Sequence, residues 1–160
     1  MNTYLLGNDC YHTNIDFQQK FNNYIFNIHI PENVYNFIGI YIEFEKTSKI
    51  YEQHALYYQK YAHAIISEIL FLFNIQKTSL FQEKNNSFFM LLFNISEPEI
   101  VHRICKLASI VKQKYHFDIH TGIYITERYI DPVSIYKLCL EQFTNTLHHK
   151  SMLSIKSSLM

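Results

Sequence analysis

Residues 35–45, YNFIGIYIEFE, alternate in hydrophobicity with a period of two, which is the pattern of a β-strand. One face of this strand is entirely apolar and consists of Ile38, Ile40, Ile42 and Phe44. The other face is mixed and consists of Phe37, Gly39, Tyr41, Glu43 and Glu45. We therefore expect a sheet whose apolar face lies on the main core, with two carboxylates on the same side near the strand end.

Four segments have apolar residues at three- and four-residue spacing, which is the period of an amphipathic helix. The pattern predicts helices over residues 14–27, 51–74, 96–115 and 131–150. Ser96 and Asp131 are expected to cap the third and fourth helices, because a proline follows each of them within the first turn. Glu99 completes an S-x-x-E capping box with Ser96.

Three further strands are predicted over residues 78–83, 87–95 and 117–125. Asn85 and Asn86 separate the first two, and asparagine tolerates the positive φ of a tight hairpin. The order of elements after the first helix is β-α-β-β-α-β-α. This order predicts an α+β fold of the ferredoxin-like split βαβ kind, in which helices pack on a mainly antiparallel sheet and an N-terminal helix precedes it.

The composition excludes several classes of protein. The chain has 160 residues, of which 48% are hydrophobic, and this favours one globular domain over disorder. It carries 14 basic and 14 acidic residues, so no basic face for direct nucleic-acid binding is expected. Apolar runs are too short to cross a bilayer and no signal-peptide pattern opens the sequence, so a cytoplasmic location is expected and no membrane partner.

Histidines and cysteines do not form a recognisable metal or redox motif. The histidine pairs His54/His63, His116/His120 and His148/His149 lack the geometry of a ligand clasp. The three cysteines, Cys10, Cys105 and Cys139, lack CxxC spacing, and we expect reduced thiols in the core. No metal site and no cofactor are therefore predicted.

Four segments resemble the GGDEF domain, which is the fold of diguanylate cyclases. They are IYIEFEK at 40–46, NNSFFMLLF at 85–93, IHTGIYI at 119–125 and IYKLCLEQFTNTLHHK at 135–150. The resemblance is closer to the degenerate GGDEF-like domains found within bacterial transcription regulators, including response regulators with an AraC-type DNA-binding domain. It implies that Glu43 and Glu45 fall where an active cyclase has acidic residues, and that Gly122 matches a glycine of the family.

The hairpin departs from the family signature at each position that carries chemistry. The resemblance aligns Asn85, Asn86, Ser87, Phe88 and Phe89 with the five residues G-G-D-E-F. Side chains at the two asparagines would crowd the approach of a nucleotide. Phosphoryl transfer with two metals requires several hard oxygen ligands, and the hairpin supplies no carboxylate at these positions. We therefore predict no enzymatic activity and no catalytic residue.

Two functions are compatible with this pattern. The first is a non-catalytic regulatory or sensory module of a bacterial transcription regulator, which acts by domain coupling or dimerisation. The second is a receptor that binds a nucleotide or cyclic dinucleotide in a vestigial site containing Glu43 and Glu45. Few basic residues lie near this site, with only Lys46 and Lys84 close in sequence.

The predicted organisation has three parts. Residues 1–34 form an N-terminal helix and linker, residues 35–150 form the GGDEF-like domain, and residues 151–160 form a tail that frays or leads onward. The expected partners are a second copy of the chain, through the N-terminal helix or an exposed tyrosine face, and a DNA-binding domain in the same natural chain.

Overall fold

The computed structural model describes residues 14–46 and 54–158, and within them the side chains of residues 16–45 and 60–158. A 3-10 turn, Lys77–Ser79, precedes the second strand. The helices and strands are α1 (Asn14–Phe26), β1 (Phe37–Lys46), α2 (His54–Phe73), β2 (Leu80–Lys84), β3 (Ser87–Phe93), α3 (Glu97–Tyr115), β4 (Phe117–Thr126), α4 (Pro132–His149) and β5 (Leu153–Ser158). All eight predicted elements are present, and their ends differ from the predictions by a few residues.

The strands form one five-stranded sheet in the order β2-β3-β1-β4-β5. Strand β1 pairs antiparallel with both β3 and β4, and β2 pairs antiparallel with β3. Strand β5 pairs in parallel with β4, because α4 carries the chain back along the sheet between them. The mainly antiparallel α+β fold predicted from the element order is confirmed.

The apolar face of β1 lies on the larger core, as predicted. Ile38, Ile40, Ile42 and Phe44 are fully buried there. Helices α2 and α3 cover this face with an apolar stripe from each helix, namely Ile65, Ile69 and Phe73 from α2 and Ile100, Ile104, Leu107 and Val111 from α3. The stripe spacing seen in the sequence is therefore the spacing with which these helices pack against the sheet.

Helices α1 and α4 cover the opposite face of the sheet and form a second, aromatic core. Tyr41 of β1 is 2% exposed, and its ring packs edge-on against Phe143 of α4 with centroids 4.9 Å apart. Phe21 of α1 packs against Tyr136 of α4 at 5.3 Å. The mixed face of β1 is thus covered over most of its length, and its two ends, at Phe37 and at the two glutamates, are more open.

Helix α1 is joined to the sheet by a buried hydroxyl. The Tyr24 hydroxyl donates to the carbonyl of Ser79 at 2.8 Å and accepts from the N–H of Leu91 at 3.1 Å. The pairing of β2 with β3 begins at Leu80 and Met90. The Tyr24 hydroxyl therefore bonds to the carbonyl of Ser79 and the N–H of Leu91, which lie just beyond that pairing. Tyr24 is a core residue, so α1 packs as an integral part of the same domain.

Gly122 of β4 lies directly beneath α4. A Cβ atom at this position would lie 2.2 Å from the carbonyl oxygen of Cys139 and 2.3 Å from the backbone nitrogen of Phe143. The absence of a side chain at Gly122 therefore sets how closely the helix approaches the sheet. Gly39 of β1 lies under the same helix, but there the nearest atoms belong to side chains.

The predicted helix caps are confirmed. The Ser96 hydroxyl accepts from the N–H of Glu99 at 3.4 Å, and the Asp131 carboxylate accepts from the N–H of Ser134 at 3.0 Å. The predicted capping box is only half formed, because the Glu99 carboxylate accepts from Arg103 at 2.8 Å and not from the N–H of Ser96.

The expectation that residues 151–160 fray is wrong for most of that segment. Leu153–Ser158 form β5, and Leu153 and Ile155 pack against the larger core. The short segment has little pattern of its own, and it is ordered by parallel pairing with β4 from Thr121 to Thr126. The expectation of core thiols holds for Cys139, which is buried, and is wrong for Cys105, which is exposed, while Cys10 lies outside the described residues.

Candidate functional site

The hairpin between β2 and β3 lies at one end of the sheet, beside the carboxyl end of β1. Asn85 and Asn86 form its turn, as predicted. Lys84 pairs with Ser87 across the turn, and the Lys84 N–H donates to the Ser87 hydroxyl at 3.1 Å. The strand register shifts between Gln82 and Lys84, so β2 contains an irregularity directly before the turn.

Asn86 attaches this turn to β1. Its side-chain amide donates to the carbonyl of Phe44 at 2.8 Å, and its own carbonyl accepts from the Phe44 N–H at 2.9 Å. These two hydrogen bonds continue the pairing between β1 and β3 beyond the last paired residues, Glu43 and Ser87. The Asn86 side chain is therefore occupied in holding the turn on the sheet.

The three residues that follow the turn are buried. Ser87 is 0% exposed, Phe88 is 1% exposed and Phe89 is 0% exposed. Phe88 packs in the larger core and Phe89 in the aromatic core, because successive strand residues point to opposite faces. The first residues of β3 thus contribute apolar packing on both sides of the sheet.

Glu43 and Glu45 lie on the same face of β1, as the alternation predicts. Glu43 is opposite Ser87 on one neighbouring strand and opposite His120 on the other. Its carboxylate lies 4.0 Å from the ammonium of Lys84, and its side chain is 24% exposed. Burial raises the pKa of Glu43, and the Lys84 charge partly offsets this effect.

Glu45 is more exposed and has a different partner. One of its carboxylate oxygens lies 3.3 Å from Nε2 of His120, and Nδ1 of the same ring lies 3.2 Å from the carbonyl of Ser151. The end of β1 is thereby connected through β4 to the segment that enters β5. The sequence interpretation placed Lys46 beside these carboxylates, but its side chain lies outside the described residues.

Glu83 joins this group of residues and was not among the predicted site residues. The Glu83 carboxyl lies near the Tyr41 hydroxyl, whose pKa is raised by burial and further by the charges of Glu83 and Glu43. One Glu83 oxygen, Oε1, is buried without a hydrogen-bond partner among the described residues. Glu83 follows Phe81 by two residues in β2, so strand alternation places it on the aromatic-core face, while its approach to Tyr41 depends on the pairing of β2 and β3 beside β1.

This end of the sheet therefore combines Glu43, Glu45 and Glu83 with Lys84 and His120. Within residues 14–46 and 54–158, no group of three or more histidine, cysteine, aspartate or glutamate side chains is arranged to hold a metal ion. No helix in the described part of the chain is long and apolar enough to cross a membrane.

No family model matches the sequence, and no curated protein matches it either. Solved structures do resemble the fold. A microbial GGDEF domain, described for its interaction with bis-(3,5)-cyclic di-GMP, has a TM-score of 0.60 and 11% identity over 76% of this chain and 78% of its own. An EAL/GGDEF domain protein from M. capsulatus has a TM-score of 0.58 and 10% identity over 87% of this chain and 95% of its own.

The active GGEEF domain of a diguanylate cyclase from Vibrio cholerae has a TM-score of 0.55 and 11% identity. The match covers 91% of this chain and 92% of that domain, which is more than residues 35–150 alone could account for. At such low identities the similarity establishes the fold alone. The α+β sheet with its covering helices is the fold of a GGDEF domain.

Proposed function

We propose that this chain is a non-catalytic GGDEF-like module that regulates by coupling to another domain or by dimerisation. The observation that carries the proposal is the packing of the hairpin. Asn86 is hydrogen-bonded to β1, and Ser87, Phe88 and Phe89 are buried. Ser87 pairs with Glu43 and carries no carboxylate, whereas Phe88 points into the larger core, so neither of these positions adds an acidic group beside Glu43.

The remaining carboxylates are poorly suited to phosphoryl transfer. That reaction needs several ionised oxygen ligands converging on a divalent cation. Burial raises the pKa of Glu43, which favours its neutral form, and Lys84 lies 4.0 Å from its carboxylate. A cation at this place would compete with the Lys84 ammonium for the Glu43 carboxylate.

The proposal is tested by incubating the purified protein with GTP and Mg²⁺ and separating the products by chromatography. We expect no cyclic dinucleotide, while the Vibrio cholerae GGEEF domain serves as the active control. Formation of product by this chain above the level of a no-enzyme sample would overturn the non-catalytic assignment.

A second candidate function is a receptor for a nucleotide or a cyclic dinucleotide. The observation that favours it is the similarity of fold to the GGDEF domain that interacts with bis-(3,5)-cyclic di-GMP. Calorimetric titration with GTP and Mg²⁺, and separately with cyclic di-GMP, distinguishes the two functions. A dissociation constant below about 100 μM for either ligand supports the receptor, and absence of heat at that concentration supports the coupling module.

The proposed context is a cytoplasmic bacterial transcription regulator with a DNA-binding domain elsewhere in the natural chain. This part rests on the resemblance of the segments at 40–46, 85–93, 119–125 and 135–150 to domains of that kind. Reading the coding sequence on both sides of this segment tests it. A helix-turn-helix pair in the same open reading frame is the expected result.

A further inference from the structure

Exposed apolar side chains are concentrated in two segments of the chain. Among the residues that the structure describes, seven large apolar side chains are strongly exposed. Five of them lie within residues 26–35 and 129–133, namely Phe26 (88%), Ile30 (49%), Tyr35 (59%), Tyr129 (67%) and Val133 (42%). The other two, Phe71 and Leu147, lie on α2 and near the end of α4. The clustering points to a surface that is covered by a partner.

The two segments meet at one end of the sheet. Phe37 begins β1 and pairs with Thr126 at the end of β4. The Phe37 ring lies 5.6 Å from the Tyr129 ring in an edge-on contact, which joins the segment before β1 to the segment before α4. We call the exposed apolar side chains of these two joined segments, namely Ile30, Tyr35, Phe37, Tyr129 and Val133, with Phe26 at the end of α1, the apolar end face.

The backbone that supports the apolar end face is held in place. The Tyr35 N–H donates to the side-chain oxygen of Asn94 at 2.7 Å, and the Asn94 amide donates to the carbonyl of Asn33 at 2.9 Å. Asn36 makes two further hydrogen bonds with the backbone of Ile95. The exposed side chains therefore project from an ordered backbone, which limits the entropy lost when a partner covers them.

The size of the face suits a protein–protein contact. A fully exposed aromatic side chain presents roughly 150–250 Å², so Phe26, Tyr35 and Tyr129, which are 88%, 59% and 67% exposed, together offer on the order of 400 Å², and Ile30 and Val133 add a smaller aliphatic area. The total lies within the range of the largest apolar patch on a typical monomer, which is about 300–600 Å². It is a large part of the roughly 800 Å² that each partner contributes to an interface of standard size.

We propose that the apolar end face is the surface through which two copies of this chain associate. Tyrosine and phenylalanine dominate it, and these residues are enriched at interfaces. Its border carries both signs of charge, because Glu32 and Arg128 are exposed and neither makes an ion pair with another described residue. In a two-fold contact each charge can meet the opposite charge of the second copy, so the border is complementary to itself.

The apolar end face and the hairpin lie at opposite ends of β1. Glu43 and Ser87 pair near the other end of β1, six positions along the strand from Phe37, which corresponds to about 20 Å at the rise of a strand. Association through the apolar end face leaves the hairpin end of both copies accessible. A regulatory role for this dimer rests on the proposed function. The contact itself does not depend on whether the hairpin is catalytic.

Sedimentation velocity on the intact chain tests the proposal at protein concentrations from about 5 to 200 μM. We expect a dimer for the wild-type chain. Tyr129→Glu should raise the dimer dissociation constant by at least about tenfold, because two-fold symmetry places two buried unpaired carboxylates in each contact. Phe71→Glu is the matched control, since it introduces the same charge at an exposed aromatic residue outside the face, and it should leave the dimer unchanged.

Circular dichroism and urea unfolding establish that both variants are folded, and Val133→Lys provides a second test of the same face. The proposal is overturned if the wild-type chain is monomeric at about 200 μM, if folded Tyr129→Glu and Val133→Lys both remain dimeric, or if Phe71→Glu dissociates the dimer equally. If the chain is monomeric and makes no cyclic dinucleotide, the proposed dimer contact is wrong and the non-catalytic assignment stands. If the chain forms product, the non-catalytic assignment is wrong and the proposed dimer contact is unaffected.

Discussion

Replacing Gly122 by alanine should destabilise the protein strongly, because a backbone element stands where the new methyl group must go. The added Cβ would lie 2.2 Å from the Cys139 carbonyl oxygen, 2.3 Å from the Phe143 nitrogen and 2.9 Å from the Phe143 Cα. Carbon and its neighbours normally pack at about 3.5–4.0 Å, so α4 must move outward by about 1 Å or more.

The cost follows from the contacts that such a movement loosens. A radial gap of about 0.5–1 Å removes roughly a quarter to a half of the dispersion energy of each contact across it. Tyr136, Cys139 and Phe143 of α4 all pack in the aromatic core. Overpacking typically costs about 1–3 kcal/mol, and we expect a value near the upper end, about 3 kcal/mol, because the clash is with helix backbone.

Urea unfolding followed by circular dichroism measures this cost. With an m value of about 2 kcal/mol per molar urea, a loss of about 3 kcal/mol lowers the midpoint by about 1.5 M. Gly39→Ala is the matched control, because its Cβ would meet side-chain atoms of Ile135 and Cys139, at 2.3 Å and 2.7 Å. Side chains adjust more readily than a helix backbone, so this variant should lose less stability.

A double-mutant comparison separates the two mechanisms. Adding Cys139→Ala should recover part of the loss in Gly39→Ala, because it removes the sulfur that the new methyl group meets. The same addition should recover nothing in Gly122→Ala, whose clash involves backbone atoms. A backbone clash at Gly122 is excluded if Gly122→Ala is no more destabilising than Gly39→Ala, or if Cys139→Ala rescues the Gly122 variant.

Three further changes are expected to alter stability in urea titrations. Tyr24→Phe should lower the free energy of unfolding by about 1–3 kcal/mol, because the buried Leu91 N–H loses its acceptor; an unchanged midpoint would contradict the role assigned to this hydroxyl. Asp131→Ala should cost about 1 kcal/mol through loss of the α4 cap, whereas Asp131→Asn should cost less. Burial raises the pKa of Glu43, so its contribution is fully present below its ordinary value of 4.5 and is lost as pH rises through the higher native value. Glu43→Gln should therefore gain stability relative to wild type at about pH 7 but not at about pH 4, and an equal difference at both pH values would exclude this explanation.

Most elements of the fold could be predicted because their signals are local. The period-two alternation of residues 35–45 identified β1 and both of its faces. Ser96 and Asp131 identified the starts of α3 and α4, because capping depends on residues within one turn. Strand β5 was not predicted because its signal is not local. The segment is short, and it is held as a strand by its pairing with β4.

The candidate site was predicted only in part. Glu43 and Glu45 share a face because strand geometry alone requires it. The turn forms at Asn85 and Asn86 as predicted, but without the positive φ on which the prediction was based. The approach of Glu83 to Tyr41 and the contact between Glu45 and His120 join distant parts of the chain. No periodicity within a segment encodes such contacts.

The sequence by itself determined which segments are helices and strands, which face of each is apolar, and that the turn at Asn85 and Asn86 lacks carboxylates. These properties depend on side-chain chemistry and on backbone preferences over a few residues. Only the tertiary structure decided that β5 completes the sheet, that α1 covers an aromatic core, and that Tyr35 and Tyr129 remain exposed while Tyr24 and Tyr41 are buried. A tyrosine suits either environment, and its burial is set by which distant elements pack over it.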